Sequence, residues 1–334
     1  MTRPFTDEGR PLAGTGHTLG RAAPPQGVVE ARLLRGVGDM NTLEGKAIVV
    51  TGAGRGLGAA FATHAAAAGA AVVVNDVDVA YAERTATEIA DRGGRAVVSG
   101  HTVADPVRAE EIIATCLREF GAIDGLVNNA GLNYEAVSWQ DDPELIRELV
   151  EVNVLGVMYV GGAAARAMVD RDGGSIVNIA SGASLGQRNL ATYAASKGAV
   201  ASLTYSWALD MEAVGIRVNA VCPLAYTRMV LKSERSKRAC EPDRTPDRVA
   251  PLVTYLLSDD ADGVTGQLVR CNGSQLHIVG QPYLKEPILE RERWDVDSVR
   301  RAFDEVFGAH LEPYGLEKRV PPRLRKWVEP LRSA

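Results

Sequence analysis

The chain is short of several things at once, and each shortage removes a class of protein. Only four cysteines occur in 334 residues, Cys116, Cys222, Cys240 and Cys271, widely spaced and without a C-x-x-C pair. A disulfide framework or a thiolate metal site needs closer pairing, so these read as buried free thiols. No His/Cys/Asp grouping has metal-ligand spacing either, and no metal is expected. Aromatic residues are 5% of the chain, which favours close helix–sheet packing over a β-sandwich. Basic charge is not in excess: Lys and Arg number 37 against 42 Asp and Glu, a net of −5. That leaves no electrostatic footprint for nucleic acid or an anionic membrane surface. The most apolar stretch, 61–74, is broken by Thr63 and His64, too short for a membrane span. The first residues lack the apolar core of a secretory leader. A cytoplasmic protein is the expectation.

What is present is ordinary globular composition, 46% hydrophobic and 24% charged, enough to bury a sizeable core. Residues 1–40 are rich in Gly and Pro and lack an apolar period, apart from a short stretch near 28–34; they read as a flexible amino-terminal extension. From Lys46 short β-branched runs alternate with Ala- and Leu-rich helical stretches. Strands are expected at 47–51, 71–75, 96–99, 125–128, 175–179, 217–221 and 267–270. Helices are expected at 56–68, 80–92, 107–120, 144–169, 193–213 and 246–257. Such alternation predicts an α/β fold, a seven-stranded parallel sheet covered by helices on both faces. Right-handed crossovers then make it doubly wound and Rossmann-like. Residues 41–275 form that domain. Residues 276–334 are a charged extension with one amphipathic helix at 296–307, capped by Asp295, on which Val299, Phe303, Val306 and Phe307 share a face. That face should pack on the main body or on a neighbouring subunit. The charge run at 232–238 reads as a solvated helix face, with a ligand phosphate as its other use.

The first strand runs straight into Gly52, Gly54, Arg55, Gly56, Leu57 and Gly58 and then a helix. Glycines there let the backbone approach a pyrophosphate, and the helix start supplies free N–H groups and a positive dipole end. The second strand ends at Asp76, 24 residues after Gly52. A carboxylate at that place accepts ribose hydroxyls and repels a 2′-phosphate, so NAD is expected ahead of NADP, although Arg55 points the other way. Tyr193 and Lys197 lie four apart at the start of a helix, on one face. A cation beside a phenol favours the phenolate, which should lower the tyrosine pKa and fit it for acid/base work on a carbonyl or alcohol. Tyr314 and Lys318 repeat the spacing in the tail without a strand or serine before them, and read as surface.

Together these motifs resemble the short-chain dehydrogenase/reductase family over about 43–273. The likeness is carried by the glycine loop, Asn128-Asn-Ala-Gly131, Asn153 within Val-Asn-Val, Ser181 after Ile-Val-Asn-Ile-Ala, and Tyr193-x-x-x-Lys197. It implies a catalytic set of Asn153, Ser181, Tyr193 and Lys197, in which Tyr193 exchanges the proton, Lys197 holds the nicotinamide ribose, Ser181 orients the carbonyl and Asn153 supports a water relay. It also implies cofactor contacts at Leu57, Val103, Asn128, Ala130, Gly131, Tyr193, Lys197, Pro223 and Thr227, a small-molecule ketone or alcohol as substrate, and a homodimer or homotetramer. Within the family the segment 223–229 is similar to (3R)-hydroxyacyl-CoA dehydrogenases. Departures stand beside the likeness. Ser181 is twelve residues before Tyr193, one fewer than usual; Thr102 takes the usual adenine Asp; Leu224 follows Pro223 where glycine is common. A bulky secondary alcohol or ketone is the expected substrate, with a non-catalytic NAD-binding scaffold as the rival.

Overall fold

The computed structural model of the chain describes residues 42–171, 173–231 and 234–324; the expectation of a flexible segment at 1–40 lies outside them. The β-branched runs become strands β1 (Ala47–Thr51), β2 (Ala71–Asn75), β3 (Arg95–Ser99), β4 (Gly125–Asn128), β5 (Gly174–Ile179), β6 (Ile216–Pro223), β7 (Leu268–Cys271) and β8 (Leu276–Ile278). They form one sheet in the order β3-β2-β1-β4-β5-β6-β7-β8. The pairs from β3 through to β7 are all parallel. Strand order reverses between β1 and β4, which opens a crevice at their carboxyl ends.

Seven parallel strands were expected, and the eighth is a difference. β8 runs antiparallel to β7, with Val269 opposite Ile278. Three residues are too few to show a period, so the strand is invisible in sequence. The turn before it is built by Asn272, whose Oδ1 accepts from Gln275 N at 2.8 Å and Ser274 N at 3.2 Å. The sheet therefore continues past Gln275.

Period-two burial distributes the strand residues to two helical layers. Ile48, Val50, Val72 and Val74 face one core with Phe61, Ala62 and Ala65 of α1 (Gly56–Ala67) and Val253 and Leu256 of α9 (Ala250–Leu257). Val49, Val73, Leu126 and Ile176 face the other, with Ile112 of α3 (Pro106–Phe120), Val160 and Ala164 of α5 (Gly156–Val169) and Ala208 of α6 (Ala191–Met211). Small residues set the helix spacing: a Cβ at Gly161 would lie 2.4 Å from the Trp207 ring. α2 (Val79–Asp91) packs on β3, and α7 (Arg228–Leu231) and α8 (Glu234–Ala239) follow β6. His64 is tied to Thr254, Nδ1 to Oγ1 at 2.7 Å, a packed helix histidine.

The helix expected at 144–169 is interrupted. α4 (Pro143–Val150) passes through a π-helical turn at Glu151–Leu155 into α5. Pro143–Val169 as a whole is long and apolar enough to cross a membrane by length and composition, and half of its most apolar 18-residue window is buried in the protein. In the tail, α10 (Val296–Glu305) starts with the expected Asp295 cap, reciprocated by Ser298. Its buried residues are Ser298 and Ala302, whereas Val299 and Phe303 stay exposed at 41% and 49%. Val306 and Phe307 are half-buried, so this chain covers the Val299/Phe303/Val306/Phe307 face only in part. α11 (Leu316–Arg319) ends the described tail helices.

Candidate active site

The crevice is walled by the turns after β1 and β4. Gly52 adopts φ +62, and a Cβ there would lie 2.8 Å from Ala130 Cα. At Gly58 the clash would be with Gly52 O at 2.1 Å. Asn129 locks the two turns, its Nδ2 donating to Thr51 O at 2.9 Å and Gly52 O at 3.0 Å. Sequence reasoning passed over Asn129 in favour of Asn128; only the fold shows which of two adjacent amides faces the glycine loop. Asn128 itself is 3% exposed, and its Nδ2 donates to Asn178 Oδ1 at 2.9 Å. Its side chain is spent in the core, so the expected contact could come only from its backbone. Ala130 and Gly131 line the crevice wall, and Thr227 lies over Gly56, 3.8 Å from a Cβ built there.

These residues fit a dinucleotide. α1 begins at Arg55 with no side-chain cap and no acidic residue in its first turn, so its first N–H groups are unclaimed by the chain. Gly56 has open space above it apart from Thr227. Asp76 is held at the edge of this loop, Oδ2 accepting from Gly54 N at 3.0 Å and Oδ1 from Asp78 N at 3.0 Å. Arg55 lies over the Tyr81 ring at 4.6 Å. Thr102 caps Ala104 N locally, Asp105 caps α3, and Val103 packs on Gly156. Pro223 ends β6.

Asn153, Ser181, Tyr193 and Lys197 come together from three elements: the π-helical turn, the loop after β5, and α6, which carries both Tyr193 and Lys197. The π-helical turn rotates Asn153 inward, where it is fully buried: Oδ1 accepts from Leu132 N at 2.7 Å, and Nδ2 donates to Leu132 O at 3.0 Å and Ser196 Oγ at 3.1 Å. Gly131 fits between Asn153 and Lys197; a Cβ there would lie 3.3 Å from Asn153 Oδ1 and 3.6 Å from Lys197 Nζ. Lys197, 4% exposed, donates from Nζ to Ile179 O at 2.7 Å. Ser181 follows β5, accepts from Ala183 N at 3.1 Å, and its hydroxyl lies on the side of the Tyr193 phenol, whose pKa it lowers. Ser184, the other serine of the loop, donates to Ser181 O at 2.7 Å instead.

The expected direction of the tyrosine pKa is reversed. Burial pushes Tyr193 up to about 12, against the hydrogen bond from Ser181 that lowers it. Burial likewise brings Lys197 down to about 8. The ammonium sits 5.9 Å from the phenol ring centre and is engaged by a carbonyl, so desolvation outweighs the cation. The downward shift occurs at the second pair: Tyr314 is lowered by the hydrogen bond and charge of Lys318, yet it is 77% exposed. Two further residues had no sequence signal. Cys222 and Arg270, opposite each other on β6 and β7, are both buried; burial pushes the thiol up to about 12 and the guanidinium down to about 10. Asn133 Oδ1, just past Gly131, is buried with no protein partner. All four cysteines are free and buried. Among the described residues no three His, Cys, Asp or Glu side chains are grouped to hold a metal.

Comparison with known proteins gives the same picture. Residues 46–239 match the family model of the short chain dehydrogenases. The chain is 33% identical over 253 residues to 2-(S)-hydroxypropyl-CoM dehydrogenase 3 of Xanthobacter autotrophicus, covering 71% of this chain and 99% of that one. A short chain dehydrogenase from Mycobacterium avium superposes with a TM-score of 0.73 at 31% identity, over 82% of this chain and 98% of that one. A gluconate 5-dehydrogenase from Burkholderia cenocepacia, solved with NADP and tartrate, gives 0.65 at 33% identity, over 70% and 96%. The chain therefore belongs to the short chain dehydrogenase family, oxidoreductases of alcohol donors that use a nicotinamide cofactor.

Proposed function

We propose that this chain is an NAD-dependent oxidoreductase interconverting a bulky secondary alcohol and its ketone. The observation that carries the reading is the convergence of the Tyr193 phenol, beside Ser181, with Lys197 and Asn153 around Gly131. A nicotinamide cofactor, when bound, supplies or accepts the hydride. Tyr193 manages the proton. With its pKa up at about 12, the phenol is protonated at neutral pH and serves as the donor to a carbonyl oxygen. Ser181 orients that oxygen with its hydroxyl. Lys197 and Asn153 hold the inner wall, and Lys197 is placed to reach a ribose hydroxyl. Gly52, Arg55, Gly56, Leu57 and Gly58 would cradle the pyrophosphate, with Val103, Ala130, Gly131, Pro223 and Thr227 around the rest of the cofactor.

NAD is preferred to NADP on the strength of Asp76. Its carboxylate is fixed by two backbone N–H groups at the edge of the glycine loop, and Arg55 is stacked on Tyr81. The substrate class is an acyl thioester, steroid-like or polyketide-like ketone. Leu224, Met229 and Leu231 in the segment after β6 supply apolar cover, with Met229 and Leu231 exposed at 38% and 44%. The (3R)-hydroxyacyl-CoA likeness belongs to the same reading, as does a cytoplasmic homodimer or homotetramer. The serine loop one residue short before Tyr193 and Leu224 after Pro223 favour a second reading, a scaffold that binds NAD without turnover.

NADH fluorescence on mixing with protein, followed by a ketone panel, separates the two. Oxidation of NADH by a bulky ketone is expected, and Tyr193→Phe should lower it about 10²–10⁴-fold with NADH affinity retained. NADH binding with no turnover across the panel would establish the scaffold, and normal turnover by Tyr193→Phe would refute the proton role.

A further inference from the structure

Ser181 is carried on a loop, not on a strand or a long helix. After it come a single helical turn, Gly182–Leu185, and then chain without regular structure to Leu190. The bonds within it are local: Ser184 N to Ser181 O at 3.1 Å and Gly186 N to Ala183 O at 2.9 Å. Bonds of this kind shape a loop but do not fix it relative to the rest of the protein. Its tertiary ties are therefore the ones that set where the serine hydroxyl points.

Two of these ties are at glycines. Gly182 lies on the buried Arg270, where a Cβ would come within 2.8 Å of Nη1. Gly186, at φ +90, lies on Gly315, where a Cβ would come within 3.2 Å of Gly315 Cα. At that contact the tail makes a backbone bond, Leu316 N donating to Gly186 O at 2.8 Å. Leu316 is 6% exposed, although its neighbour Tyr314 is 77% exposed. Glu317 adds an ion pair from Oε2 to Arg188 Nε at 3.6 Å. Further along, Ala136 N donates to Asn189 O at 2.9 Å, which ties the loop to the segment after Gly131. The tail contact is the tie that falls in the middle of the loop.

We infer that the tail segment Gly315–Glu317 is a latch on the serine loop, and that Leu316 and Glu317 are positioning residues holding the Ser181 hydroxyl against Tyr193. The inference deepens the functional reading above and rests on it. Residues more than 120 positions away in the sequence thus complete the geometry of the catalytic hydroxyl. Releasing the latch lets the loop move and takes the Ser181 hydroxyl away from the phenol, whose pKa it lowers. Turnover should fall and the phenol's limb of the pH–rate profile should move to higher pH. The glycine loop lies elsewhere on the crevice, so NADH binding should stay.

The test uses the full chain with Leu316→Ala, Glu317→Ala and Leu316→Met, with cyclohexanone and acetoacetyl-CoA as probes beside NADH. Leu316→Ala should lower kcat roughly tenfold to a hundredfold, shift the pH limb upward and speed amide exchange across 182–190. NADH affinity should stay within about twofold by fluorescence, and Leu316→Met should restore kcat. Wild-type kcat and wild-type exchange in Leu316→Ala and Glu317→Ala would overturn the latch. If Leu316→Ala does not fold, Arg188→Ala at its exposed position reports through the same amides, and unchanged exchange overturns the latch. Tyr193→Phe, run alongside, separates the two readings. Its full activity would defeat the catalytic reading, whereas an inactive Tyr193→Phe beside a fully active Leu316→Ala would defeat the latch alone. If neither probe is turned over by the wild type, the functional reading fails for these substrates and the exchange data decide the latch.

Discussion

Lys197 carries its charge where water is excluded, and the consequence can be read in stability. Its folded pKa of about 8 lies below the ordinary lysine value of about 10.5. Between those values the unfolded chain binds more protons, so the wild type gains stability as pH rises through the window. Methionine does not titrate. Lys197→Met should therefore be most favourable relative to wild type near pH 7, and its advantage should shrink by pH 10.5, by an amount on the order of 3 kcal/mol at most. Paired thermal melts across pH 7–10.5 check this; a constant difference would show that Lys197 is not held below its ordinary pKa. Asp76 governs the other residue-scale prediction. NAD(H) should be preferred over NADP(H) by at least about tenfold, roughly 1.4 kcal/mol, and Asp76→Ala should narrow the gap. Equal kcat/KM for both cofactors in the unmodified chain would contradict it. Both residues stand out in the sequence, by spacing and by place after a strand. The direction of the Tyr193 pKa does not, because it is decided by how much water the finished fold removes from the phenol.

Elements of regular structure were legible wherever an apolar period was long enough to repeat. The first seven strands and the flanks of six helices follow from it. The π-helical turn at Glu151–Leu155 has no such signal, because an amphipathic pattern reads the same with one extra residue in the turn. Yet that turn is what carries Asn153 inward to Leu132 and Ser196. Glycines divide in the same way. Gly58 must be glycine because a Cβ would strike Gly52 O at 2.1 Å, whereas Gly198 in α6 has nothing within 4 Å. Gly58→Ala should lower the melting temperature and weaken NADH binding at least about tenfold through overpacking. Gly198→Ala should raise stability by about 0.5–1 kcal/mol through helix propensity. Differential scanning fluorimetry with an NADH titration compares them, and equal effects of the two substitutions would refute the crowding argument.

At the scale of the whole molecule, the tail is divided between what it covers and what it leaves open. Leu316 and Ala302 are buried, while Leu276, Ile278, Leu284, Val299 and Phe303 remain exposed. These exposed apolar side chains are the contacts the tail would offer to the oligomer proposed above. Removing residues 276–334 should reduce the assembly to a smaller species by light scattering while NADH binding persists. An unchanged oligomer size would show that the tail face is not an interface between copies.

The sequence by itself determined the first seven strands, the glycine loop and the pairing of Tyr193 with Lys197 on one helix face, because strand period, turn chemistry and four-residue helix spacing are local properties; Asn153 and Ser181 were named through the family resemblance. Tertiary structure alone decided which asparagine meets the glycine loop, where the tail docks and which way the tyrosine titrates. Asn128 and Asn129 differ only in the side of the strand end they leave by. Leu316 meets Gly186 only because a distant segment returns to the serine loop. The pKa of Tyr193 follows from desolvation, a property no single stretch of chain possesses until the others have closed around it.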